Sequence, residues 1–553
     1  MSDLLAAAGT LAAAGTAAAA IVLPAGRTRA VAILLALALF PLLILGDQWH
    51  STQIADLREH ATRLVALGLV GLVATVALAA AFRRWPILLP LAIVAALPFR
   101  IPLHAGGDTA NLLVPLYLVI AGGVFALVSR SWPADVSRAG GAVGGTAPED
   151  ASATAGGGGS PVATGPARYL PWALAGVVVL YALQTLYSPD FSKSLQNVCF
   201  FFVPFSLVYA LLHDVTWSKK LLKLVLWVIA VEAVAFVAVG TVEYVSRELF
   251  WNDQVIRSNE FHTYFRVNSI FWDPNIYGRY LALVIVVAMS ALLWAKERWK
   301  LALLTGLVAV LWFGLVLTFS QSSFAALLAG LAVLAALRWS LKWTLAAVGA
   351  GVVLAIVIVL FSGGASKLSP DRLNVDTGGR TNLVSGGVTM FGQRPIWGYG
   401  AGAFPKAYRE HIATKKAPVS VSHTEPITVA AEQGVIGLAA YAALIAVALW
   451  TMAAGLFSWT AARAGGAVGG TAPEDASATA GGGGSPAATE PARQDAPTES
   501  ARLHLIARAA VLATFVALLV HTMAYAGFYE DPIAWVLMAA AASLATVPVR
   551  DAT

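Results

Sequence analysis

Arg266-Val-Asn-Ser-Ile-Phe-Trp-Asp273-Pro274-Asn275-Ile-Tyr-Gly-Arg279-Tyr-Leu-Ala-Leu283-Val-Ile-Val-Val-Ala-Met-Ser-Ala-Leu-Leu-Trp294 passes without a break from a polar cluster into an apolar segment at 279–295. About 20 apolar residues carry a helix across hydrocarbon, where every backbone polar group must be satisfied within the segment, so this stretch reads as a transmembrane helix. Arg279 falls inside or at the lip of that helix. An arginine there costs a few kcal/mol unless it snorkels or meets an anion, so a functional site is the first expectation. The plainer alternative is that Arg279 snorkels to the headgroups or pairs with Asp273.

The same signal recurs along the chain, at about 4–24, 30–46, 65–82, 86–98, 110–129, 169–188, 195–213, 221–244, 301–318, 323–337, 343–361, 425–453, 505–526 and 533–548. Of 553 residues 58% are apolar and only 12% charged, against roughly 25% charged in soluble domains; mean hydropathy is +0.73. The fold class is therefore all-α: a polytopic helical membrane protein with about 12–15 transmembrane helices and a large outer-face loop before the third-last helix. The single cysteine, Cys199, lies in an apolar run, which excludes a disulfide framework and a cysteine zinc site. Net charge is +6, yet no long soluble basic domain exists to bind nucleic acid.

The positive excess is a matter of topology. One set of alternate connections holds Arg27, Arg29, Arg83, Arg84, Lys219, Lys220, Lys223, Lys296, Arg298, Lys300, Arg338, Lys342 and Arg550, whereas the opposite short set holds only Arg58, Arg63, Arg100 and Lys193. The first set is expected in the cytoplasm. The chain then divides into N-terminal transmembrane helices (1–137), a flexible cytoplasmic loop (138–168) and central transmembrane helices (169–362) with an outer loop at 245–278. An outer-face loop expected to be catalytic (363–424), a transmembrane helix (425–453), a second flexible cytoplasmic loop (454–504) and C-terminal transmembrane helices (505–553) follow. Both cytoplasmic loops carry the same sequence, RAGGAVGGTAPEDASATAGGGGSP, at 138–161 and 463–486. Its composition cannot bury a core, so the two copies read as spacers.

Two further polar clusters face the same side. Gly378 to Phe404 places Leu383, Val384, Gly387, Met390 and Phe391 at helical spacing, which predicts a short amphipathic helix lying on the membrane with Arg380 at its start. The glycines from Gly398 to Gly402 predict a tight surface turn rather than a phosphate loop, because no strand precedes them. Ser422-His423-Thr424-Glu425-Pro426 stands directly ahead of the segment at 425–453, followed by Glu432-Gln-Gly434-Val-Ile-Gly437. A histidine near a helix N-terminus is kept neutral by the dipole and can accept a proton. His423 is accordingly the candidate base, the alternative being an interfacial anchor.

These residues resemble the superfamily of O-antigen ligases and O-antigen polymerases, bacterial envelope glycosyltransferases. The resemblance rests on His423, Thr424, nine residues and Gly434-Val-Ile; on Arg279-Tyr-Leu-Ala-Leu283, which fits the Arg-x-x-x-Leu element; and on the stretches from Arg266 to Asn275 and from Arg380 to Phe404. It is clearest over about 260–445, with Pro98-Phe-Arg-Ile-Pro-Leu103 as the upstream match. It departs at Thr424, where relatives carry Asn, Ser or Gln, and at Thr318-Phe-Ser-Gln-Ser-Ser323, where relatives often carry a Ser-Arg pair; one expected diphosphate-binding arginine is then either absent here or supplied by Arg266 or Arg380.

The resemblance implies a multi-pass protein of the bacterial cytoplasmic membrane with its active site facing outward. Such enzymes move a glycan from an undecaprenyl diphosphate donor to a hydroxyl acceptor on a glycan, a lipid or a protein. His423 would act as catalytic base, Arg279, Arg266 and Arg380 would bind the donor diphosphate, and Asp273, Asn275, Thr424 and Gly434 would support them. Guanidinium forks suit phosphate oxygens. No Asp-x-Asp pair occurs on the outer loops, so transfer is expected to be metal-independent, without a cofactor and with inversion at the anomeric carbon. Polymerase or protein O-oligosaccharyltransferase activity stays open, since the acceptor decides it. A transporter or flippase is the rival from another class, although no paired inverted halves are visible.

Overall fold

The computed structural model describes residues 3–49, 51, 59–105, 108–131, 165–261, 263–361, 379–412, 421–456 and 499–545. Both copies of the glycine-rich repeat, 138–161 and 463–486, lie outside the described residues, as do 363–378 and 413–420 of the expected outer loop. In chain order the main helices are α1 (Asp3–Val22), α2 (Arg27–Asp47), α3 (Ala61–Arg84), α4 (Leu88–Ala96), α5 (Val114–Ser131), α6 (Leu170–Thr185), α7 (Phe191–Leu212), α8 (Lys219–Ser246), α9 (Asp253–Phe261) and α10 (Pro274–Trp294). They continue with α11 (Arg298–Leu317), α12 (Gln321–Arg338), α13 (Leu341–Phe361), α14 (Arg380–Gln393), α15 (Phe404–His411), α16 (Glu425–Ala453), α17 (Glu499–Thr522) and α18 (Pro532–Ala545). Eleven helices among the described residues are long and apolar enough to cross a membrane, and three shorter apolar helices begin at Val114, Leu341 and Pro532.

The fold is the all-α polytopic bundle that the sequence predicts. One expectation needs correction: the apolar piece at 86–98 forms only the nine-residue α4, about 14 Å at 1.5 Å per residue and too short to span. A short antiparallel hairpin of β1 (Ile101–Ala105) and β2 (Asp108–Leu112) follows α4 directly.

Burial orders the bundle. Of the α7 span 83% is buried and of α10 67%, against 11% for α3 and 22% for α8 and α11. The first two form the interior, and the others turn Val, Leu and Trp side chains such as Val70, Trp227 and Trp312 to the outside, as a helix does when its solvent is hydrocarbon. α12 packs on α17, and α10 on α11, α12 and α17.

Side chains join helix ends at one rim. Arg29 Nη1 lies 2.5 Å from Asp214 Oδ2, Lys219 pairs with Glu499, and Arg502 Nη2 donates to the Trp294 carbonyl at 3.0 Å. Arg130 Nη2 donates to the carbonyls of Phe82 and Arg83 at 2.7 and 2.9 Å, so most of the basic connections gather there. The starts of α10, α14 and α16 and the link from α17 to α18 meet at the other rim.

Candidate functional site

The site grows from the start of α10. Asp273 caps this helix by accepting from the Asn275 amide at 2.6 Å, and Pro274 takes the first helical position, where its missing N–H costs nothing. Ahead of the cap, Glu243 of α8 accepts from the Asn268 and Ser269 amides at 3.2 and 2.7 Å, and Ser269 is held at φ 52. A serine there is strained; the buried carboxylate and the Ser269 hydroxyl, which donates to the Phe236 carbonyl at 2.8 Å, offset the strain. This pinned loop aims Arg266. Its Nε donates to the Thr318 carbonyl at 2.9 Å and its Nη2 to Asn275 Oδ1 at 3.1 Å. Asn275 Oδ1 also accepts from Ser320 at 2.9 Å, so the polar Thr318–Ser323 turn that lacks an arginine is met by Arg266.

Arg279, one turn deeper, is 5% exposed. Its partner is not Asp273 but Asp531, whose Oδ2 lies 2.9 Å from Arg279 Nη2 and which is itself 2% exposed. Asp531 precedes α18 and accepts from the Ile533 amide through its other oxygen. The field of Arg100, which leaves α4 toward the hairpin, reaches Asp531, Arg279, Glu530 and Tyr525.

Tyr525 lies in the link between α17 and α18, with His423 on one side at 6.2 Å between ring centroids and His521 on the other at 5.8 Å. Burial, then the charge of Asp273, holds its phenol protonated above the usual range, against the pull of Arg279, Arg100 and Arg380. His521 is fully buried, with Nε2 3.3 Å from the Ser322 hydroxyl.

His423 stands two residues before α16, at φ 63. Burial and then the field of Arg380 hold its imidazole below the usual value, opposed by Asp273. The direction agrees with the helix-terminus argument, but burial and a cation are the larger causes. Thr424 is the N-cap residue of α16 and sends its hydroxyl instead to the Met523 carbonyl at 3.0 Å, while Glu425 accepts from the Gly527 and Phe528 amides at 2.6 and 3.1 Å. Three bonds thus tie the α16 start to the link bearing Tyr525. Arg380 begins α14, and its charge acts on Arg266, His423, His521 and Tyr525.

Gly434 explains how α14 comes to face His423. It breaks α16 with φ 66 and ψ −164, and a Cβ on it would lie 2.2 Å from the Ile396 carbonyl. The break frees three carbonyls. That of Ala431 accepts from the Tyr399 amide at 3.1 Å, that of Glu432 from Gly400 at 2.8 Å, and that of Gln433 from Gln184 Nε2 at 3.1 Å. The Val435 amide in turn donates to Pro395 at 2.7 Å, and the Glu432 carboxylate accepts from the Gly402 and Phe404 amides, each at 2.9 Å. The stretch from Gly398 to Phe404 is therefore buried, not a surface turn: Gly398 has φ 66, and a Cβ there would meet the Glu432 carbonyl at 2.3 Å. Helix α14 also differs from expectation. It lays Gly386, Gly387 and Met390 against Tyr408, Phe404 and Ile427, so its small-residue face is covered by α15 and α16 rather than by lipid.

The structure thus brings together Arg266, Asp273, Asn275, Arg279, Arg380, His423 and Thr424, with Gly434 acting from below. The sequence did not single out Glu243, His521, Tyr525 or Asp531, and it carried Arg100 only as a loop cation and within the Pro98–Leu103 segment. The available signal was polarity inside or beside apolar runs, which His521 and Asp531 both show. Among the described residues no three His, Cys, Asp or Glu side chains form a set able to hold a metal ion.

In comparison with known families, residues 306–442 match the family model described as O-antigen ligase, so this part of the chain is similar to that family. The matched region contains the Thr318–Ser323 turn, Arg380, the buried glycine loop, His423 and Gly434, and stops short of Arg266, Arg279 and Asp531. No curated protein matches the chain.

Proposed function

Starting from an O-antigen ligase-type segment built around His423, we propose that this protein transfers a glycan from undecaprenyl diphosphate to an acceptor hydroxyl at the outer face of the bacterial cytoplasmic membrane. One observation carries the reading: Arg380, whose charge adds to burial in holding the His423 imidazole below its usual pKa, also faces Arg266, and it acts on Tyr525 together with Arg279, so guanidinia from separate elements gather beside one neutral histidine. His423 Nδ1 or Nε2 takes the acceptor proton as the acceptor oxygen attacks the anomeric carbon. The bond from that carbon to the diphosphate oxygen breaks, with inversion. The guanidinia meet the charge growing on the lipid diphosphate, and no metal or cofactor is required for that role. Thr424, Asn275, Asp273 and Gly434 hold these groups in place. The acceptor, whether glycan, lipid or protein, separates ligase from polymerase and oligosaccharyltransferase.

The test uses purified full-length protein and a lipid-linked glycan. His423→Ala is expected to keep donor binding and lose transfer by about 10² to 10⁴ fold, the range for removal of a general base. Parallel loss of binding and turnover would refute the base assignment. Arg279→Lys is expected to recover little of the activity that Arg279→Ala loses, because a point ammonium does not reproduce a bidentate fork.

A further inference from the structure

The charged site does not coincide with the cavity of about 700 Å³ that opens between α2, α3 and α5. That volume is of the size that holds a ligand. Its walls include Leu35, Ala38, Leu72, Ala121 and Phe125, and Leu35, Leu72 and Phe125 are each about half exposed, so the crevice faces the hydrocarbon side of the bundle. Thr75 and Tyr117 are its polar residues, and both are engaged: Thr75 donates to the Gly71 carbonyl at 2.8 Å and Tyr117 to the Phe200 carbonyl at 2.8 Å.

Tyr117 connects crevice and site, for it lies within electrostatic reach of Arg100, and Arg100 within reach of Arg279 and Asp531. Arg100 is partly buried, and among the described residues its guanidinium makes no hydrogen bond and no ion pair within 4.0 Å. Asp531 is already engaged by Arg279. A partly buried guanidinium with five donors and no acceptor is costly unless an anion completes it. An apolar crevice leading to such a cation matches an amphiphile with an anionic head.

We propose that this crevice seats the isoprenoid chain of the donor, with Arg100 meeting its phosphate where crevice and charged site adjoin. The proposal rests on the reading that the donor is a lipid diphosphate, and assigns it a lateral route from the bilayer between α2, α3 and α5. In lipid the chain gains packing rather than release from water, so the crevice orients the donor and adds a modest share of its affinity.

Ala38→Trp and Ala121→Trp fill the crevice without touching the charged site. Purified full-length protein in lipid nanodiscs is titrated with undecaprenyl diphosphate and, separately, with inorganic diphosphate. Each tryptophan variant is expected to weaken the lipid by about tenfold, ~1.4 kcal/mol, and to leave inorganic diphosphate unchanged, whereas Arg100→Gln weakens both. Wild-type affinity for the lipid in both tryptophan variants overturns the crevice assignment while the donor reading stands. Absence of lipid diphosphate binding by the wild type overturns both. Should neither tryptophan variant fold, wild-type protein is photocrosslinked to undecaprenyl diphosphate bearing a diazirine in its chain. Labels on α2, α3 or α5 support the seat, and labels confined to other helices overturn it.

Discussion

Asp531→Asn isolates the anion that pairs with Arg279. The change removes a charge and almost no volume, and it keeps an oxygen for the Ile533 amide, now 2.9 Å from Asp531 Oδ1. At 2.9 Å the attraction between Asp531 and Arg279 is about 6 kcal/mol with an effective dielectric near 20. Desolvation of both partners takes back much of this, so the pair adds little over an apolar replacement, but stranding one partner costs about 3–5 kcal/mol. The stranded group here is Arg279, with side-chain exposure of 6%, and Arg100 adds a second positive field beside it. Asp531→Asn should therefore lower unfolding free energy by about 3–5 kcal/mol, measured by chemical unfolding of full-length protein in micelles. Arg279→Gln should cost a similar amount, and the double variant much less than the sum, which makes this a double-mutant cycle. Inorganic diphosphate should stabilise Asp531→Asn more than wild type, because a ligand that binds only the folded form adds its own binding energy. A loss below about 1 kcal/mol, the scale of a surface pair, or additive single changes would refute the assignment of Asp531 as the counter-charge.

Gly434→Ala places a Cβ 2.2 Å from the Ile396 carbonyl in a backbone conformation reserved for glycine; at about 1–3 kcal/mol for the conformation alone, the variant should lose thermal stability and activity together. Arg380→Ala removes a cation whose field lowers the His423 pKa, so the lower limb of the pH–rate profile should move to higher pH. Movement to lower pH, or none, would count against Arg380 facing His423. Compartment reporters fused at Gly157 and Gly482 should read out on the same, cytoplasmic side, as the charge asymmetry of the short loops requires; opposite readouts would overturn the span assignment.

The helices were legible because hydrocarbon leaves a chain few choices: an apolar run without an internal hydrogen-bond partner for each amide is not viable there. Length was the part that composition blurred. The segment at 86–98 is apolar throughout, but only Leu88–Ala96 winds into a helix before Pro98 and the hairpin. Arg279 was legible as a cost awaiting a partner, but the identity of that partner was not, since Asp273 is near in sequence and Asp531 arrives only when the link ahead of α18 is brought beside α10. Asp273 was already committed to the helix N-terminus.

The glycines from Gly398 to Gly402 were misread for a related reason: composition announces a turn but not what the turn covers. The kink at Gly434 leaves carbonyls in an apolar surrounding, where an unpaired carbonyl is costly. The backbone amides of Tyr399 and Gly400 answer two of them, and those of Gly402 and Phe404 satisfy the Glu432 carboxylate. Only a loop poor in side chains can come that close. Once laced there, it fixes where α15 begins, and α15 supplies Phe404 and Tyr408 as the surface on which Gly386 and Gly387 of α14 rest. The N-terminus of α14, and with it Arg380, is thereby carried to the side of His423. A glycine inside one helix and a glycine loop ahead of it thus act on the chemistry at a distance: they set which face of α14 is buried, and that sets where its first cation stands.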